Sequence, residues 1–137
     1  MRIPLLTFQA GWSATLSRAA AGILLFELVS GLAITFGPFH PLTEWSLLFH
    51  TLAGVIALAP LAWYCARHWR NYAGQALSDA LLLGYVGAGG LAICLISGLL
   101  IALQALRGGK TCPALRYAHL ISTLLAVAAT VPHFLIS

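Results

Sequence analysis

Charged side chains are scarce in this chain of 137 residues. Lys, Arg, Asp and Glu make up 7% of the sequence, whereas soluble domains carry about 25% of them. So small a share cannot cover the water-facing surface of a folded domain, which argues against a soluble protein. Since 61% of the residues are hydrophobic, lipid is the expected solvent and an integral membrane protein is the expected class.

The sequence also lacks the alternation of polar and apolar residues that a membrane β-barrel requires, and it has long apolar runs instead. We therefore expect an all-α fold, with one transmembrane domain over 1–137 built as an up-down-up-down four-helix bundle. The helices are expected at 15–36, 45–70, 78–106 and 115–137. Each run exceeds the roughly 20 residues that span a bilayer. Ser78 is expected to cap the third helix.

Acidic residues are fewer than basic ones, 3 against 7. The basic residues do not indicate nucleic-acid binding, because they lie at the ends of the apolar runs, where lipid headgroups are expected. The membrane side that holds the N-terminus carries one more of them than the opposite side: Arg2, Arg18, Arg67 and Arg70 against Arg107, Lys110 and Arg116. The positive-inside rule therefore predicts a cytoplasmic N-terminus, in a bacterial inner membrane.

Paired cysteines are missing as well. Cys65, Cys94 and Cys112 are far apart, so the sequence has neither a CxxC metal pair nor a CxxCH haem-attachment motif. Cys65 and Cys94 are interpreted as apolar filling inside helices. No internal repeat is apparent.

Histidines are the notable polar residues of this chain. His40 falls between the first two apolar runs, and the other four lie on the second and fourth helices, as His50 with His68 and His119 with His133. With about 3.6 residues per turn, a spacing of 18 residues is about five turns and a spacing of 14 is close to four. Each of these two sets therefore forms a stripe on one face of its helix.

The second and fourth helices run in the same direction, so the depths of their histidines can be compared. His50 and His119 lie near one membrane surface, and His68 and His133 approach the other. We therefore expect two cross-bundle pairs, His50 with His119 and His68 with His133. The axial spans differ, at about 27 Å and about 21 Å. A bend at Pro60 would reduce this difference, and His68 is the histidine that the difference puts at risk.

Two imidazoles that face each other across a bundle are suited to the axial positions of a haem iron. The four histidines are therefore candidate ligands of two haem b groups, or of one if the pair with His68 fails. Gly54 and other glycines are expected to let a porphyrin approach the backbone, and Arg67 and Arg116 to pair with propionates. Glu27, inside the first helix, is a candidate proton carrier for a quinol, or a protonated side chain hydrogen-bonded inside the bundle.

The chain resembles the membrane di-haem cytochrome b group, which includes the cytochrome b subunit of bc complexes and the b-type subunits of hydrogenases and formate dehydrogenases. The resemblance is carried by the four helices, the histidine stripes, and the stretches HTLAG at His50–Gly54 and YAH at Tyr117–His119. It implies electron transfer between a quinone pool and a membrane or periplasmic redox partner protein. The ligand spacing of bc-type members matches His119 and His133, but not His50 and His68.

A histidine-lined transporter, or a transition-metal protein without haem, is the alternative. Histidines several turns apart on one helix cannot share an ion, and each cross-bundle pair offers only two nitrogens, which counts against this alternative. The loops are too short for a catalytic domain. We therefore expect the membrane subunit of an oxidoreductase, within a complex or oligomer, rather than an enzyme by itself. His40 is expected in an exposed loop.

Overall fold

The computed structural model describes residues 14–136, with side chains from residue 18 onward. It contains the helices α1 (Ala14–Phe36), α2 (Pro41–Tyr72), α3 (Asp79–Leu106) and α4 (Pro113–Ile136). No strand occurs among the described residues. All four helices are long and apolar enough to cross a bilayer. The predicted all-α, four-helix membrane bundle is confirmed.

Two helices begin two or more residues earlier than predicted, each at a proline. α2 starts at Pro41 rather than at 45, and α4 at Pro113 rather than at 115. Proline is tolerated in the first turn because the amide hydrogen that it lacks has no helical acceptor there. His40 is the N-cap of α2, and its Nδ1 accepts a hydrogen bond from a backbone amide at 3.2 Å. Ser78 caps α3 as predicted.

α3 and α4 pack closely through small residues. A methyl group added at Gly90 would lie 3.0 Å from the backbone nitrogen of Ala126. One added at Gly87 would lie 2.7 Å from Oγ1 of Thr130. Small residues let membrane helices approach each other to backbone contact. The α3–α4 hairpin is therefore the most tightly packed part of the bundle.

α1 and α2 form a second hairpin around a small buried cluster of Ala20, Ala57 and Leu61. The two hairpins meet mainly where α2 touches α3, and this contact is sparse. The backbones of α2 and α4 stay apart. A seam therefore runs between the hairpins, and the helices that carry the candidate histidines lie on opposite sides of it.

Large apolar side chains are mostly exposed in this fold. Phe39, Trp63 and Leu106 are examples, and among the described residues no large side chain is completely buried. Water would disfavour so much exposed apolar area, whereas lipid accommodates it. The chain is a multi-pass membrane protein whose natural surroundings are a lipid bilayer.

Candidate functional site

The structure brings the four candidate histidines together as two pairs across the seam. The ring centroids of His50 and His119 are 6.1 Å apart, with an angle of 85° between the ring planes. Those of His68 and His133 are 6.0 Å apart, with an angle of 87°. The two pairs are therefore nearly identical in geometry, although they lie about 21 Å apart along α4.

The pair that contains His68 is as close as the other one. The difference in axial span between α2 and α4, about 6 Å from the helical rise, was the reason to doubt it. The difference in axial span does not separate the pair, since the ring of His68 still lies opposite that of His133. Pro60 lies within α2 between the two histidines, at the position where a bend was expected.

The spacing of the rings fits a metal group held by two imidazoles. A metal ion lies about 2 Å from each ligating nitrogen, and that nitrogen lies about 1 Å from its ring centroid. Two imidazoles on opposite sides of one ion therefore have centroids about 6 Å apart, as both pairs have here. Since the backbones of α2 and α4 stay apart, the residues present fit a flat, six-coordinate metal group between the rings.

The protonation of two rings follows from their hydrogen bonds. Nδ1 of His119 lies 2.9 Å from the carbonyl oxygen of Cys94, and Nδ1 of His133 lies 2.8 Å from that of Ala80. A carbonyl oxygen only accepts, so Nδ1 carries the hydrogen in both rings. In a neutral imidazole Nε2 then keeps its lone pair. Histidines that bind metals adopt this arrangement, with the second ring nitrogen donating to a carbonyl or a carboxylate.

His50 has a carboxylate as its partner. Oε2 of Glu27 lies 2.9 Å from Nδ1 of His50. Oγ of Ser30 lies 3.0 Å from the same nitrogen, but its hydroxyl donates to the carbonyl oxygen of Phe26 at 2.7 Å. Nδ1 of His50 is therefore the donor toward Glu27. The structure thus adds the contact with His50 to Glu27, and both interpretations of this residue from the sequence stay predictions.

Glycines of α3 lie against both histidines of α4. A Cβ added at Gly98 would lie 3.0 Å from Cε1 of His119, and one added at Gly84 would lie 3.0 Å from Cε1 of His133. The two glycines are 14 residues apart, as are the two histidines. Equal spacing on antiparallel neighbours predicts both contacts. The equal spacing is visible in the sequence, but from the sequence the glycines were expected to contact a porphyrin rather than the histidines.

The glycines of the first hairpin have different neighbours. A Cβ at Gly31 would lie 3.2 Å from Cε1 of His50. Gly54, expected beside a porphyrin, faces Glu27 instead, since a Cβ there would lie 3.6 Å from Oε2 of that residue. A Cβ at Gly22 would meet no atom within 4 Å. Gly31 thus lies beside the ring of His50, and Gly54 lies beside the carboxylate of Glu27.

The two hairpins share a short repeat, although none was apparent from the sequence. ELVSGL at 27–32 in α1 corresponds to CLISGL at 94–99 in α3. The serine Oγ lies 3.0 Å from Nδ1 of His50 in the first copy and 3.4 Å from Nδ1 of His119 in the second. The next residue is the glycine that contacts the same ring. The repeat is short, so its meaning emerges only when both copies lie beside a histidine.

The first position of the repeat is where the two copies differ. Glu27 occupies it in α1 and Cys94 in α3. Sγ of Cys94 lies 3.6 Å from Nδ1 of His119 and 3.1 Å from Oγ1 of Thr123. Cys94 therefore has polar neighbours, rather than serving only as apolar filling.

His68 lies among aromatic side chains. Its ring centroid is 6.1 Å from that of Tyr64, with parallel ring planes, and 4.7 Å from that of Tyr72. The two tyrosines precede and follow His68 by one helical turn, a spacing that is visible in the sequence. Together with His133 they line a cavity of about 90 Å³ between the hairpins.

The remaining candidates are exposed residues. Arg67 and Arg116 are exposed, and the only ion pair among the described residues joins Glu27 to His50. Neither arginine therefore has a carboxylate partner in that part of the chain. Their assignment to propionates stays a prediction. His40 is exposed at the start of α2, far along the helix from His68.

A compact metal site is not present in the part of the chain that the structure describes, where no three His, Cys, Asp or Glu side chains are placed to hold one ion. The arrangement consists of two-histidine sites instead. Comparison of the chain with protein-family models, curated proteins and solved structures found no match. The geometry of these residues is therefore the basis for an assignment.

Proposed function

We propose that this protein carries electrons across the membrane through two b-type haems, one between His50 and His119 and one between His68 and His133. The observation that carries the proposal is the pairing of imidazoles 6.1 Å and 6.0 Å apart across a seam between helices. The chain's part is to hold each iron from both sides, and haem, when bound, supplies one-electron redox chemistry.

The hydrogen bonds of the rings support this proposal. In His50, His119 and His133, Nδ1 is engaged by an acceptor on the neighbouring helix of the same hairpin. This leaves Nε2 of each ring for a metal bond and fixes the direction of the ring. Histidines that merely filled the interior would have no reason to share this tautomer. The helices lie in an apolar bilayer, so a largely apolar cofactor is suited to the space between them.

The partners belong to the same proposal. By its resemblance to the di-haem cytochromes b, the chain exchanges electrons with a quinone in the bilayer and with a membrane or periplasmic redox protein. Arg67 and Arg116 lie toward opposite ends of the seam and are exposed, so each is available to a propionate. The protein would serve as the membrane subunit of an oxidoreductase complex.

The test is an absorption spectrum of the purified chain. The protein is expressed with haem supplied, purified in detergent, and measured as a dithionite-reduced minus oxidised spectrum together with a pyridine haemochrome assay. We expect sharp α and Soret bands and about two haems per chain. His119→Ala and His68→Ala should each remove about one of them.

His40→Ala is the matched control, because His40 lies outside both pairs and caps α2. It should retain both haems. A well-folded chain without haem would refute the proposal and favour the metal-binding alternative. One haem that is lost in His119→Ala and kept in His68→Ala would restrict the proposal to the first pair.

A further inference from the structure

Glu27 breaks the symmetry of the two hairpins at the site of His50 and His119. The two rings have the same serine and glycine beside them, from the repeat ELVSGL at 27–32 and CLISGL at 94–99. They differ in the acceptor at Nδ1. His50 donates to a carboxylate at 2.9 Å, whereas His119 donates to the main-chain carbonyl of Cys94 at 2.9 Å. One ligand therefore faces an acidic group and the other a neutral one.

The carboxylate of Glu27 contacts His50 through one of its two oxygens. Its Oε2 makes the contact with Nδ1, while Oε1 is buried and has no hydrogen-bond partner among the described residues. Gly54 lies beside this oxygen, since a Cβ added there would be in ordinary van der Waals contact with Oε2 at 3.6 Å. Within residues 18–136 no Arg or Lys forms an ion pair with Glu27. Its interaction with the histidine is therefore not shared with a basic side chain.

We propose that Glu27 is a positioning residue that orients His50 and lowers the reduction potential of the iron group held by His50 and His119. This inference rests on the proposed haem function. A carboxylate that accepts from Nδ1 makes the imidazole a more basic ligand. Negative charge close to a metal favours the more positive, oxidised form, especially in an interior of low dielectric constant. Both effects act in the same direction.

The experiment is a redox titration of the haem-loaded full chain in lipid nanodiscs, followed at the α band. Glu27→Gln keeps the size of the side chain and an oxygen acceptor but removes the charge. It should retain both haems and raise one midpoint potential. We expect at least a tenfold change in the reduction equilibrium, which is about 59 mV for one electron, with the other component unchanged.

Glu44→Gln is the matched control, because it makes the same change at an exposed glutamate in the first turn of α2, outside both histidine pairs. Both of its midpoint potentials should lie within a threefold change in equilibrium of the wild type. The same shift in Glu44→Gln as in Glu27→Gln would attribute the effect to the loss of one negative charge anywhere in the chain and overturn the inference.

The outcomes distinguish a failure of the role proposed for Glu27 from a failure of the proposed electron transfer through haem. Wild-type protein without haem overturns both. Haem in all variants with unchanged potentials overturns the role of Glu27 and leaves the electron-transfer proposal intact. If Glu27→Gln loses a haem, Glu27→Asp decides: recovery of that haem in Glu27→Asp supports a need for the carboxylate. Loss in both variants assigns residue 27 a steric role and refutes the inference.

Discussion

Nδ1 of His133 lies 2.8 Å from the carbonyl oxygen of Ala80, which joins the last turns of α4 to the first turn of α3. Gly84, one turn further along α3, contacts the same ring. The ring is therefore fixed both by a hydrogen bond and by close contact with the neighbouring helix. His119 has the same two restraints, from Cys94 and Gly98, so the orientation of these rings is built into the α3–α4 hairpin.

We predict that the rings of His119 and His133 carry a hydrogen on Nδ1, because a carbonyl oxygen can only accept. Nitrogen-15 NMR of the histidine-labelled protein in nanodiscs, without haem, reports which ring nitrogen is protonated. His40 is an internal control with the opposite result. Its Nδ1 accepts from the amide of Leu42 at 3.2 Å, so its hydrogen should be on Nε2. Hydrogen on Nε2 of His119 or His133 would contradict the assigned metal-binding tautomer.

We also predict that Gly98→Val weakens the binding of the haem proposed between His50 and His119. A Cβ at this position would lie 3.0 Å from Cε1 of His119, so a branched side chain must displace the ring. The expected loss of haem affinity is at least tenfold, or about 1.4 kcal/mol. Competition of the reduced protein with a haem acceptor measures it. Gly89→Val, in the same helix with no atom within 4 Å of the added Cβ, should retain haem as the wild type does.

The helices and the histidine pairs were predictable because each depends on a regular spacing. Apolar run length defined the spans, and helical periodicity placed His50 opposite His119. The partners at Nδ1 were not predictable, since Ala80 and Cys94 contribute main-chain carbonyls that any residue provides. The start of the second helix was predicted at 45, whereas α2 begins at Pro41. A proline marks an interruption between helices whether it lies in the loop or begins the next helix. Only the N-cap residue before it, here His40, distinguishes the two cases.

The free energy of unfolding should depend more on Gly90 than on the adjacent Gly89. A Cβ at Gly90 would lie 3.0 Å from the backbone nitrogen of Ala126 and 3.2 Å from the carbonyl oxygen of Ser122. Backbone atoms cannot move aside independently, so Gly90→Ala must separate α3 from α4. The expected loss is about 1–3 kcal/mol of unfolding free energy, as in overpacked cores. Thermal unfolding in one detergent, compared with Gly89→Ala, measures it. Equal melting temperatures for the two variants would disprove the close packing.

The orientation in the membrane can be tested at Cys112, which is exposed after α3. The helix 3–4 loop lies on the opposite side from the N-terminus, so a cytoplasmic N-terminus places Cys112 in the periplasm. A membrane-impermeant maleimide should therefore label it in intact spheroplasts. The matched control is Gln75→Cys in a Cys112→Ser background, since Gln75 is exposed between α2 and α3. This cysteine should react only after permeabilisation. The reverse pattern would place the N-terminus outside, and with it the His68–His133 pair at the periplasmic surface.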